Sequence, residues 1–215
     1  FTVPNFAQGY CTDDNARALV LALMLQKLGH GSPQLGAQAA TYAAFLNHAF
    51  DRPRGRFRNF MSFERRWLEE VGSEDCHGHA LWALGLCVSQ AGQGSFQMLA
   101  AELFELALPV AAGFTSPRAW AFTLIGIDEY LRRLSGDRRA NQIRESLTAK
   151  LMQRYADAAT AEWQWFEEMV SYTIAKLPHA LMLAGPVGIG KATLAFHLAH
   201  HLLSYPDYRN APETL

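Results

Sequence analysis

Ser73-Glu74-Asp75-Cys76-His77-Gly78-His79-Ala80-Leu81, running on to Gly85, is the stretch that decides the fold. A polar, acid-bearing lead opens a run of small and apolar residues at helical spacing. The phrase recurs. Asp13-Asp14-Asn15-Ala16-Arg17-Ala18-Leu19 precedes it, and Ser116-Pro117-Arg118-Ala119-Trp120-Ala121-Phe122 and Ala175-Lys176-Leu177-Pro178-His179-Ala180-Leu181 follow. Anchored on Ala18, Ala80, Ala121 and Ala180, the steps are 62, 41 and 59 residues, and three copies continue as Ala-x-x-x-x-Gly to Gly85, Gly126 and Gly185. Small residues at these positions let helices approach closely. Amphipathic stretches at 35–50, 98–112 and 140–156 lie between them. The order is inner helix, outer helix, inner helix, outer helix. A hairpin of this kind cannot bury its apolar face alone, so neighbours must stack. The expected fold is all-α, a stack of about four helical hairpins. Residues 56–61 alternate after Pro53-Arg54-Gly55 and predict a short strand paired with 66–69 across a turn, one β-hairpin near 56–69.

Composition narrows the function classes. Of 215 residues, 50% are hydrophobic and 12% aromatic, which supports a packed core, and the formal net charge of −1 supplies no global field for nucleic acid or an anionic membrane. Neither is expected as a partner. Cys11, Cys76 and Cys87 are few and odd in number, which predicts free thiols in a reducing cytoplasm. No metal-ligand spacing and no cofactor motif is read, and neither a signal peptide nor a membrane span is expected. A chain opening on Phe1 is read as a piece of a longer reading frame.

The long phrases resemble a bacterial family, the six-hairpin (α/α)6-toroid glycosidase-like domain found behind a glycosyltransferase module. They are residues 9–19, 55–85, 116–137 and 163–168, with the weaker 171–181, and the resemblance covers about 1–181. It implies an incomplete (α/α)6 toroid, about four helical hairpins of six, and carbohydrate-active chemistry, glycosyl hydrolysis or transfer or a remnant of it, on an oligosaccharide or sugar donor. It also implies a glycosyltransferase module in the parent chain. Two positions depart from the family pattern: Tyr172 is followed by Thr173 and Ile174 in place of Asp-Asn, and His79 stands where Arg is usual.

Breaking a glycosidic bond commonly takes two carboxyl groups, one acid and one base or nucleophile. The candidates are Asp14, Glu74, Asp75 and Glu167, with Asp13 and Glu168 beside them, all in or near the leads of inner helices. Asp14 with Glu74 or Asp75 is the favoured pair, with acid and base unassigned. The competing reading of Asp14 and Asp75 is helix capping, and of Glu168 a solvated carboxylate. Candidate substrate contacts are Asp13, Asn15, Arg17, Trp67, His77, Arg118, Trp120, Trp165 and Tyr172. The tryptophans are equally readable as core, and His77 as a structural histidine. A non-catalytic sugar-binding module is the second function.

From Gly185 to Lys191 the chain fits G-x-x-x-x-G-K, with Gly188, Gly190 and Thr193 completing a degenerate phosphate loop. Ala192 stands where a hydroxyl should hold Mg²⁺, and only 22 residues follow Thr193, too few for the rest of a parallel sheet. The stretch 177–215 resembles the N-terminal region of the delta-prime subunit of the bacterial DNA polymerase III clamp loader. That implies a third function, a nucleotide-binding fragment from DNA replication. Residues 177–185 belong to both resemblances, as a chimeric join would produce, and the helical reading is expected to win there. Residues 182–215 are expected to be a truncated, helical P-loop-like tail that is not an independent domain or a competent ATPase. Titration of ATP with and without Mg²⁺ is expected to give no affinity that depends on Lys191, so Lys191→Ala leaves the isotherm unchanged.

Overall fold

The computed structural model describes residues 7–90, 95–169 and 171–185. Its seven α-helices are α1 (Thr12–Lys27), α2 (Pro33–Ala49), α3 (Glu74–Gln90), α4 (Ser95–Ala107), α5 (Pro117–Arg133), α6 (Arg138–Ala158) and α7 (Lys176–Ala184). A 3₁₀ turn, Leu108–Gly113, extends α4. The fold is all-α with short β pairings, as the helical periodicity predicts. Helices α1, α3, α5 and α7 pack side by side in that order, and α2, α4 and α6 pack against them.

The step of 41 residues between the second and third phrases is a physical register. Helices α3 and α5 run alongside each other with position i facing i+41. Glu74 meets Thr115, Asp75 meets Ser116, Gly78 lies against Ala119, and Gly85 lies against Gly126. At Gly85 any Cβ would collide with the Gly126 backbone, and at Gly126 it would come within 2.6 Å of the Leu81 carbonyl oxygen. The two backbones therefore touch, which only glycine permits. Around this line sit the buried Ala80, Leu81, Leu84, Ala121, Leu124 and Ile125.

Helix starts follow local chemistry. Ser116 Oγ accepts from the Ala119 N–H at the start of α5, with Pro117 in the first turn, as the sequence predicts. Asp137 caps α6 and Ser32 caps α2 in the same way. Asp14 and Asp75 do not cap. Each lies inside the first turn of its helix, where a negative charge still favours the positive end of the dipole. At α3 the capping oxygen is Ser73 Oγ, 3.1 Å from Cys76 N.

The predicted short β-hairpin is present, closed by the antiparallel bridge from Met61 to Trp67, and its first arm makes further pairings. The alternating run divides between two partners: β3 (Arg56–Phe57) pairs antiparallel with β2 (Phe50–Asp51), and β4 (Phe60–Met61) with β1 (Tyr10–Cys11). Asn59 is the reason. Its side chain turns inward at the division and accepts from the Asp13 N–H and the Cys11 thiol, tying the run to the start of α1.

Residues 176–184 are helical, as expected for this stretch, and Leu177, Ala180 and Leu181 are buried. Among the described residues one stretch, Phe96–Gly113, has the length and mean hydropathy (1.3 over 18 residues) to cross a membrane by composition alone. It is divided between α4 and the 3₁₀ turn, and Leu103, Phe104, Ala107, Leu108 and Ala111 pack into the core.

Gly126→Ala is expected to destabilise the chain by about 1–3 kcal/mol or more, because two backbones cannot part without repacking both helices. Gly136→Ala, where an added Cβ meets nothing within 4 Å, is the matched control and should lie within about 0.5 kcal/mol of the parent. Urea unfolding of the three proteins measures both.

Candidate functional site

The shared register brings the N-terminal ends of α3 and α5 together, with the start of α1 beside them, and residues 163–169 and 171–175 meet them there. Two clusters form there. In the first, Asp13 Oδ1 lies 2.5 Å from Nδ1 of the buried His79, and Asp13 Oδ2 lies 3.3 Å from Arg17. Phe122 stacks on the imidazole with ring centroids 3.7 Å apart. Burial alone would raise the Asp13 pKa, but the hydrogen bond and charge of His79, with Arg17, outweigh it and hold the carboxyl below its ordinary range.

In the second cluster, Asp75 accepts from the Ser116 hydroxyl at 2.6 Å and from the Tyr172 hydroxyl at 2.7 Å. Arg118 makes a two-pronged pair with Glu167, at 3.0 and 2.8 Å, donates to the Tyr172 carbonyl and to Ser171 Oγ, and lies under the Tyr172 ring. Desolvation, reinforced by the hydrogen bond to Asp75 and by the charges of Asp75 and Asp13, pushes the Tyr172 phenol up to about 12. Asp75 thus holds the Tyr172 hydroxyl, and Asp13 pairs with His79, one turn further along the same face of α3.

Several candidates are taken up by the fold. Glu74 accepts from the backbone N–H groups of Thr115 and Ser116, at 2.8 and 2.7 Å, and so joins α3 to the start of α5. Glu167 is engaged by Arg118. Asp14 is exposed and pairs with Arg17, while Asn15 Nδ2 donates to the Cys11 carbonyl. Glu168 is exposed, as its bland reading held.

His77 does not contact the mouth. It is fully buried, donates from Nε2 to the Ala107 carbonyl at 2.9 Å and accepts from the Phe57 N–H at Nδ1. Burial pushes its pKa down to about 3, so it is a neutral structural residue. Trp165 is 1% exposed and belongs to the core. Trp120 donates to the Phe114 carbonyl beneath Lys150 and is held between α5 and α6. Trp67 is half-buried against Phe45 and His48, with Arg58 over its ring, beside the β pairings. Gly185 ends α7, donating to the Leu181 carbonyl, and Gly188, Gly190, Lys191 and Thr193 lie outside the described residues.

Sequence reasoning passed over His79, Ser116 and Ser171 as site residues. His79 had a readable signal. Four residues beyond Asp75, it lies about 40° round the helix on the same face, whereas His77 lies about 200° round. Among the described residues, no group of three or more His, Cys, Asp or Glu side chains is placed to share a metal ion.

Tyr172 is expected to titrate near 12, and Asp75→Asn to return it toward 10, read from the Cζ shift of ¹³C-labelled tyrosine. A folded-state pKa raised above 10 means that this contact stabilises the fold fully below pH 10. The stabilisation is lost as pH rises from 10 to about 12. No family model matches the chain, and neither does a curated protein or a solved structure.

Proposed function

We propose that the mouth formed by α1, α3, α5 and residues 163–169 and 171–175 is a carbohydrate-active site, hydrolysing or transferring glycosyl units of an oligosaccharide or sugar donor. The observation that carries this reading is the placement of Asp13 and Asp75 at one mouth in unlike surroundings. Asp13 is held ionised by His79 and Arg17, whereas Asp75 accepts from two neutral hydroxyls. Glycosidic chemistry needs two carboxyl groups whose environments differ. Asp14, Glu74 and Glu167 are committed elsewhere, so Asp13 and Asp75 are the pair left for acid and base.

The hydroxyls already on Asp75 indicate what it accepts. The Tyr172 side chain is 59% exposed and can yield its place to a sugar hydroxyl of the same donor chemistry. The resemblance of residues 1–181 to a toroid that follows glycosyltransferase modules supports the same substrate class and a transferase partner in the parent chain. No cofactor is needed for this chemistry. Cys11, Cys76 and Cys87 are free thiols, which suits a reducing cytoplasm.

One observation favours the second reading, a sugar-binding module without turnover. Asp13, Glu74, Asp75 and Glu167 each already have a protein partner, so none stands open to a reacting centre. The nucleotide-binding reading gains no support from residues 177–185, which form a helix and not the strand that a phosphate loop follows.

Incubation with a panel of oligosaccharides, reading reducing-sugar release, tests the proposal. Release is expected, and Asp13→Asn or Asp75→Asn should each lower it on the order of 100-fold. Calorimetric binding without release by the parent chain would select the binding module. Neither binding nor release would reject carbohydrate as the ligand class.

A further inference from the structure

A second cavity lies beside the short β pairings, apart from the acidic mouth. It encloses about 530 Å³ and is lined by Tyr10, Phe45, His48, Met61 and Arg65. Its size is that of a small-molecule site. The register of β1 with β4 sets Tyr10 opposite Met61, and the next residue, Cys11, turns its thiol the other way, to Asn59. Tyr10 remains 36% exposed. The rings form a connected chain: Tyr10 to Phe45 at 6.2 Å, Phe45 to Trp67 at 6.0 Å, and Trp67 to His48 at 5.5 Å.

Arg65 is the unusual member. Its φ of 64° lies in the left-handed region that favours glycine, held by its own N–H to the Ser62 carbonyl and by Ser62 N–H to the Arg66 carbonyl. Strained non-glycine backbone of this kind persists where the surroundings fix it and gathers at ligand sites. The neighbouring arginines are engaged, Arg66 with Glu64 and Arg58 with Asp51. Among the described residues, the Arg65 guanidinium has neither an ion pair nor a hydrogen-bond acceptor, although it lines the cavity.

We infer that this cleft is a separate subsite for one pyranose ring of a glycan. The apolar C–H face of the ring stacks on Tyr10 and Phe45, and its edge oxygens accept from Arg65 and His48. Aromatic faces beside a few directed donors match a sugar ring, which is apolar on its faces and rich in acceptors at its rim. A purely hydrocarbon ligand would leave the guanidinium without a partner. Tyr10 is three residues from Asp13, at most about 10 Å along the chain. The inference rests on the carbohydrate reading of the mouth and gives it a second, non-catalytic anchor.

The experiment is calorimetric titration of the full chain with four tetrasaccharides: cellotetraose, maltotetraose, mannotetraose and tetragalacturonate. Binding is compared among the parent, Tyr10→Ala, Arg65→Gly and Asp75→Asn. Arg65→Gly removes the guanidinium while giving the left-handed position its preferred residue, so its melting temperature should equal or exceed that of the parent. Loss of affinity in that variant then reports the ligand and not the fold. At least one probe is expected to bind, and Tyr10→Ala and Arg65→Gly should each weaken it tenfold or more. A loss confined to tetragalacturonate would assign Arg65 to a ring carboxylate, and a loss across the neutral probes to hydroxyls. If both variants bind within twofold of the parent while Asp75→Asn is weakened, the subsite is overturned and the mouth stands. If no probe binds the parent, both are overturned.

Discussion

The contact of two backbones at Gly85 and Gly126 governs the arrangement of everything else. Packed helices usually keep their axes 8–10 Å apart with side chains between them. Here peptide groups meet directly, and α3 and α5 become one rigid pair. Because close contact occurs at both Gly78 and Gly85, the pair cannot slide. A shift by one residue would bring a Cβ into a backbone at each point. The offset of 41 is thus enforced along the length of both helices and not by any single interaction.

That offset is what assembles the mouth. With Gly85 on Gly126, the start of α3 must stand beside the start of α5, and Glu74 finds the Thr115 and Ser116 amides within 2.8 Å. Asp75, next along, meets the Ser116 hydroxyl. One turn further, His79 lies against Phe122 and reaches Asp13 on α1. Acidic groups that would repel each other in isolation are each supplied with a donor, so they gather at positive helix ends without a large penalty. Most of the acidic lead is consequently structural, and Asp13 and Asp75 are the two carboxylates whose donors are charged or replaceable.

Much of this was legible in the chain. The repeated phrase located the inner helices, and the step between Ala80 and Ala121 already contained the packing register. Ser116 followed by Pro117 announced a helix start. The further β pairings were not legible, because strands of two residues carry almost no periodicity and Asn59 breaks the alternating run from within. Residues 159–169 and 171–175 have no regular structure, so spacing could not separate the buried Trp165 from the exposed Tyr172. Residue type also misled at His77 and His79. Two histidines of equal chemistry, two positions apart, face opposite sides of α3, and only the angular distance from Asp75 distinguishes them.

The hydrogen bond between Tyr172 and Asp75 joins residues 97 apart in the chain. The α3–α5 contact spans less than half that separation. Closing the longer loop adds only about 0.6 kcal/mol per doubling of length, so its thermodynamic weight is small. Its kinetic meaning is larger, since contacts between distant residues form late in folding. A contact of this range links the start of α3 to the segment before α7, where the α3–α5 pair links only neighbours, so the mouth depends on segments that local helix packing does not bring together.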